Sequence, residues 1–266
     1  MAPLPNPQIF SMPEYRPRKT LFNPELRRRG IYILPNLFTT AALFSGFFAI
    51  VQAMNGKFEI AAVAIFIAMV FDGLDGRVAR MTHTQSAFGA EYDSLSDMVS
   101  FGAAPALVVY VWALKDMGKL GWIAAFIYCV GAALRLARFN TNIEVVDKRY
   151  FQGLPSPAAA ALVAGLVWVL IDNEWTGFEA RWYALVLTIF AGVTMVTNLR
   201  YYSGKSINLR KSVPFFVVVA IALAFALGSI YTPGMLFALF LAYALSGYVI
   251  ALVDWFNRRK KLARGE

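Results

Sequence analysis

A chain of 266 residues that is 59% hydrophobic and only 15% charged is too apolar for a soluble domain, in which about 25% of residues are charged. Its apolar runs exceed the roughly 18 residues that separate a membrane span from a core helix, and its net charge of +9 has no soluble basic domain behind it that could track a nucleic acid. A single cysteine, Cys129, and a single histidine, His83, leave no disulfide within the chain and no donor set for zinc, Ser–His or Cys–His chemistry.

Residues 1–30 open as a Pro-rich tail without the apolar core and small-residue cleavage site of a signal peptide. Within them "FNPELRRRG" reads as a short juxtamembrane amphipathic helix. Asn23 is its N-cap, Pro24 its first helical residue and Gly30 its end. Its arginines would meet anionic headgroups at about 1 kcal/mol per basic residue. Apolar runs then predict eight membrane helices, near 31–54, 58–81, 94–114, 120–138, 156–172, 182–198, 213–230 and 233–256. The expected fold is all-α: a polytopic membrane helical bundle forming one transmembrane domain over 31–256, followed by a basic tail, 257–266. The last two helices, joined at "YTPG", add to a six-helix core. Cys129 falls in an apolar run and reads as a buried, inert thiol.

An even number of spans puts both termini and alternate connections on one side of the membrane. That side collects 21 Lys and Arg, and only Lys57, Lys115, Lys119 and Arg181 fall on the other. Such asymmetry predicts a cytoplasmic location for both termini and for the segment "DGLDGRVARMTHTQSAFGAEYDSLSD", Asp72–Asp97.

That segment is the chemical anomaly of the chain. Asp72 and Asp75 are three residues apart, with Gly76, Ala79 and Arg80 following on one helical face. Asp93 and Asp97 are four apart, near the start of the next helix. If the two helices are antiparallel neighbours, four carboxylates converge at a membrane boundary, where an ionisable group is by default functional. Oxygen donors without His or Cys favour a hard divalent cation, Mg²⁺ or Mn²⁺, and a carboxylate-held metal pair beside arginines suits phosphoryl chemistry. Gly73, Gly76 and Ala79 leave room for a ligand against the helix, and Arg77 and Arg80 can reach phosphate. An interhelical salt-bridge network and a cation pathway are the alternative readings of the same acids.

The spacing D-x-x-D-G-x-x-A-R, eight residues, G-x-x-x-D-x-x-x-D, carried by Asp72, Asp75, Gly76, Ala79, Arg80, Gly89, Asp93 and Asp97, resembles the signature of the CDP-alcohol phosphotransferases. The resemblance implies that Asp72, Asp75 and Asp93 hold two divalent cations. It implies that Asp97 completes the second metal's shell and is the catalytic base on the incoming alcohol. Gly76, Ala79, Arg80 and Ser86 would contact the CDP-linked donor. "PNLFT" resembles the family's Asn-x-x-Thr element, which adds Asn36 and Thr39 to the nucleotide contacts; read alone, Pro35 and Asn36 are a helix interruption with a polar residue.

Three further stretches, "SFGAAPA", "RLARFN" and "FQGLPSPAAAA", resemble those of the small integral-membrane bacterial phosphatidylserine synthases. That likeness implies CDP-diacylglycerol and L-serine as substrates, CMP as leaving group, a bacterial cytoplasmic (inner) membrane and a homodimer. Arg135 and Arg138 are then candidates for a carboxylate or phosphate, with Asn140 and Ser156 as further polar contacts; the bland alternative is that both arginines are membrane anchors. Glycerol 3-phosphate or inositol as acceptor, or a cation-coupled transporter, are the competing functions.

Overall fold

The computed structural model describes residues 24–82, 84, 86–141, 150–202 and 230–263. Helix α1 runs from Pro24 to Met54 without a break. The separate juxtamembrane helix expected before it is therefore its opening turns: Pro24 does start the helix, but Gly30 does not end it and Pro35 lies inside it. An interior proline costs about 3 kcal/mol. Extensive packing of α1 against α2 (Phe58–Thr82) offsets that cost.

Helix α3 spans Ala87–Met117. It is α-helical over Ala87–Asp97, widens into π turns at Met98–Ala103 and Tyr110–Leu114, and closes in a 3-10 turn at Lys115–Met117. Its start lies well before the expected residue 94, because the Ser86 hydroxyl caps it by accepting from the Gly89 N–H at 3.0 Å. Helices α4 (Lys119–Thr141), α5 (Ser156–Asp172), α6 (Gly177–Val196) and α7 (Thr232–Ala263) follow. A capping box between Thr176 and Glu179 starts α6 ahead of the expected residue 182, and α7 runs past 256. The helix expected at 213–230 lies outside the described residues.

Among the described residues five helices are long and apolar enough to cross a membrane: Leu34–Met54 of α1, then α3, α4, α6 and Thr232–Asn257 of α7. The chain is an integral membrane helical bundle. One departure from an all-helical fold is a pair of three-residue strands. In it β1 (Tyr150–Gln152) runs antiparallel to β2 (Arg200–Tyr202), with Phe151 opposite Tyr201.

Helix α5 is the axis of the bundle. Its run from Ala158 to Val167 is buried throughout, and it packs against α2, α6 and α7. Small residues allow this, since helix association within a bilayer relies on close backbone approach. The same device joins α4 to α6. A Cβ on Gly131 would stand 2.4 Å from the Gly192 carbonyl oxygen, and one on Gly192 would stand 2.7 Å from the Tyr128 Cα. Gly153, with φ +76°, turns the chain from β1 into α5 against the Met195 carbonyl, where a side chain has neither the dihedral freedom nor the space.

Candidate active site

The last turns of α2 and the first turns of α3 meet beside α1, and the acids meet there. Carboxylate oxygens of Asp72, Asp75 and Asp93 all lie within 4.8 Å of one another. Asp97, one turn beyond Asp93, is in hydrogen-bond reach of Asp72, as Asp93 is of Asp75. Asp75 is buried and the other three are half-buried.

So many like charges in so small a space need a countercharge. The three clustered acids fit a divalent cation: their donors are all oxygen, they are close enough to share an ion, and Asp93 Oδ1 is buried with no hydrogen-bond partner. Asp97 stands beside this triad, next to Asp72.

The surroundings hold the acids in position. Thr39, buried in α1, donates its hydroxyl to Asp75 Oδ2 at 2.8 Å. Ser96 on α3 donates to the Thr39 carbonyl at 3.1 Å, and one turn on Ser100 donates to the Ala42 carbonyl at 3.0 Å. Thr39 was expected at the nucleotide; here its hydroxyl is turned to a carboxylate. Asn36 and Gly89 are neighbours, with the Asn36 Oδ1 3.6 Å from where a Gly89 Cβ would stand. Arg80 is exposed and folds back over Gly76, its guanidinium 3.4 Å from where a Cβ would project. Ala79 is half-buried and Ser86 exposed on the same rim.

On the opposite wall, Arg135 of α4 lies close enough to Asp97 and Asp72 to act on both electrostatically. It donates to the Ser156 hydroxyl at 2.6 Å, at the start of α5, while its Nε is buried and unpartnered. Asn140 exchanges hydrogen bonds with Ser94, next to Asp93. Arg138 differs. Its guanidinium is spent on the carbonyls of Val196 (2.7 Å) and Thr197 (3.3 Å) and on Asn198 Oδ1 (3.2 Å), which caps the end of α6.

Sequence reasoning missed Ser96, Ser100 and Tyr243. The serines have the i, i+4 spacing of one face, but nothing in their identity says that the face meets α1. Tyr243 approaches Arg135 from α7, more than a hundred residues away, and no local signal announces it.

The sequence has known relatives. The family model for CDP-alcohol phosphatidyltransferases matches residues 32–197. A CDP-diacylglycerol–serine O-phosphatidyltransferase of Helicobacter pylori is 35% identical over 233 residues, covering 86% of this chain and 97% of its own. One of Methanocaldococcus jannaschii is 37% identical over 187 residues, covering 70% of this chain and 81% of its own. A crystal structure of Mycobacterium tuberculosis phosphatidylinositol phosphate synthase with CDP-DAG bound is 22% identical, with a TM-score of 0.49, and covers 65% of this chain and 85% of that one. Because the matched region takes in most of α1 and all of α2 to α6, with every acid described above, the chain belongs to the CDP-alcohol phosphatidyltransferase family.

Proposed function

We propose that the protein transfers the phosphatidyl group of CDP-diacylglycerol to the hydroxyl of L-serine, forming phosphatidylserine and CMP. The observation that carries this reading is the convergence of Asp72, Asp75 and Asp93 from two helices, with Asp97 and Arg135 beside them. The near end-to-end match to transferases named for serine supports the choice of acceptor.

In this reading the serine oxygen attacks the phosphorus that carries diacylglycerol, and the bond from that phosphorus to the bridging oxygen of CMP breaks in line. Asp97 takes the hydroxyl proton, and the leaving CMP keeps the bonding electron pair. Two divalent cations, Mg²⁺ or Mn²⁺, held by Asp72, Asp75 and Asp93 with Asp97 at the edge of the second, would neutralise the diphosphate and the departing oxygen. Asn36, Gly76, Ala79, Arg80 and Ser86 line the approach of the CDP moiety, Arg80 as the phosphate contact. Arg135 and Ser156 take the serine carboxylate, with the unpartnered Nε as the spare donor, and Asn140 borders the same space. Arg138 serves that site by fixing the end of α6. The hydroxyl is a poor nucleophile, so positioning and electrostatics supply most of the acceleration. The split of basic residues supports a cytoplasmic-facing site in a bacterial inner membrane, and the family likeness supports a homodimer.

The test is CMP release by purified protein from CDP-diacylglycerol with Mn²⁺ or Mg²⁺, comparing L-serine, glycerol 3-phosphate and inositol. Serine-dependent CMP that disappears on chelation is the expected result. CMP with another alcohol alone would overturn the acceptor, and no CMP with any alcohol would overturn the reaction.

A further inference from the structure

A pocket of about 360 Å³ opens where β2 meets the end of α7; Asn198, Arg200, Asp254 and Trp255 line it beside the aliphatic Leu199 and Ile250. Asp254 and Trp255 are among the last residues of the apolar span Thr232–Asn257. That puts the pocket at headgroup depth, where tryptophan is favoured. The Arg200 guanidinium and the Asp254 carboxylate have no hydrogen-bond or ion-pair partner among the described residues. Asn198 Oδ1 accepts from Arg138, which leaves its amide N–H groups free to donate. Arg259 does not line the pocket, but it stacks on the Trp255 ring at 4.0 Å and so holds a second cation against one of the lining side chains.

Two cations, one anion and an amide donor match a headgroup with the inverse pattern: a phosphate and a carboxylate for the arginines and the amide, and an ammonium for Asp254. We propose that this pocket binds the headgroup of an anionic phospholipid that carries an amine, the class to which the reaction's product belongs. The identification with the product rests on the serine reading above; the charge pattern of the pocket does not. Through Asn198 and Arg138 the pocket is joined to α4, the helix that carries Arg135 one turn earlier. A lipid held there sits apart from the acids, while its pocket is tied to the helix that carries Arg135.

The test is lipid retention by the full-length protein in detergent, with a chelator present so that no lipid is converted. Equal amounts of phosphatidylserine and phosphatidylglycerol are supplied, and the lipids that survive exchange are counted by mass spectrometry. The wild type is expected to keep phosphatidylserine over phosphatidylglycerol by about threefold, the size of one ordinary interfacial ion pair. Asp254→Asn should bring that ratio to about one, and Arg200→Gln should lower the retention of both lipids. A wild type without preference, or an Asp254→Asn protein that keeps it, overturns the proposal. Should the ratio respond as expected while serine gives no CMP, the pocket stands and the serine reading falls; serine-dependent CMP with an unresponsive ratio is the reverse.

Discussion

One proton sets the orientation of Asp75. The Thr39 hydroxyl lies 2.8 Å from Asp75 Oδ2 and 3.2 Å from the Pro35 carbonyl, and it can donate to only one of them. The charged acceptor is nearer and forms the stronger bond, so Thr39 holds one carboxylate oxygen and leaves the other for the cluster. Outer partners of this kind typically change metal affinity by about 10–100-fold when removed. Thr39→Val is therefore expected to weaken Mn²⁺ binding by about that factor, read by direct titration of the purified protein, while Thr39→Ser restores it. Equal affinity in Thr39→Val would return Thr39 to the nucleotide. Asp97 invites a separate test. General-base catalysis contributes about 10²–10⁴-fold, so Asp97→Asn should cut kcat within that range while Mn²⁺ still binds to the other three acids. Arg135→Gln should instead raise the KM for serine about 10–100-fold, as expected when a charge-assisted hydrogen bond is lost, and leave donor affinity intact.

At the scale of elements, the site depends on how closely α3 lies on α1. The carbonyls of Thr39 and Ala42 receive Ser96 and Ser100 from the facing helix, and Gly46 lets the backbones touch: a Cβ there would stand 2.6 Å from the Ser100 Cα. The π turns at Met98–Ala103 begin directly after Asp97, so the seam lies at the level where the acid-bearing α-helix ends. Gly46→Val would force α3 away from α1 and is expected to cost about 1–3 kcal/mol in stability, typical of overpacking. It should also weaken metal binding, because Asp93 and Asp97 ride on α3; a lower melting temperature with unchanged Mn²⁺ affinity would separate the seam from the site. The sequence made the acids legible because helical spacing alone brings Asp72 onto the face of Asp75, and Asp93 onto that of Asp97. Apolar runs likewise marked most helices. It could not announce the seam, since serine and glycine carry the same meaning in any membrane helix. Nor could it announce the strand pair, whose three-residue strands are too short for a period-two pattern and whose halves are separated by α5 and α6. The unbroken α1 is hidden for a related reason: Gly30 and Pro35 are local stop signals, and tertiary packing of α1 against α2 and α3 overrides them.

For the whole molecule, the structure sorts charge by end. Asp72, Asp75 and Asp93 cluster with Thr39 of α1, and Arg135 reaches both the cluster and the start of α5. The strand pair, the end of α6 and the pocket beside Asp254 follow at the same end. Lys57, Lys115 and Lys119 occupy the turns at the far ends of α1, α3 and α4. Arg181 joins them in the first turns of α6, whose Gly177 lies against the Trp112 carbonyl. A bundle with its few far-side cations segregated in this way has one favoured orientation, because basic connections resist export. Cys129 is the only cysteine, so a Cys129→Ser background allows each end to be marked singly. Asp116→Cys, exposed in the turn that closes α3, should react with a membrane-impermeant maleimide on intact cells. Arg77→Cys, exposed at the acid-bearing end of α2, should react only after permeabilisation. The reverse pattern would put the acids outside, away from any cytoplasmic supply of a CDP-linked donor. It would overturn the proposed reaction along with the orientation, since a site that consumes an activated nucleotide must face the compartment that makes it.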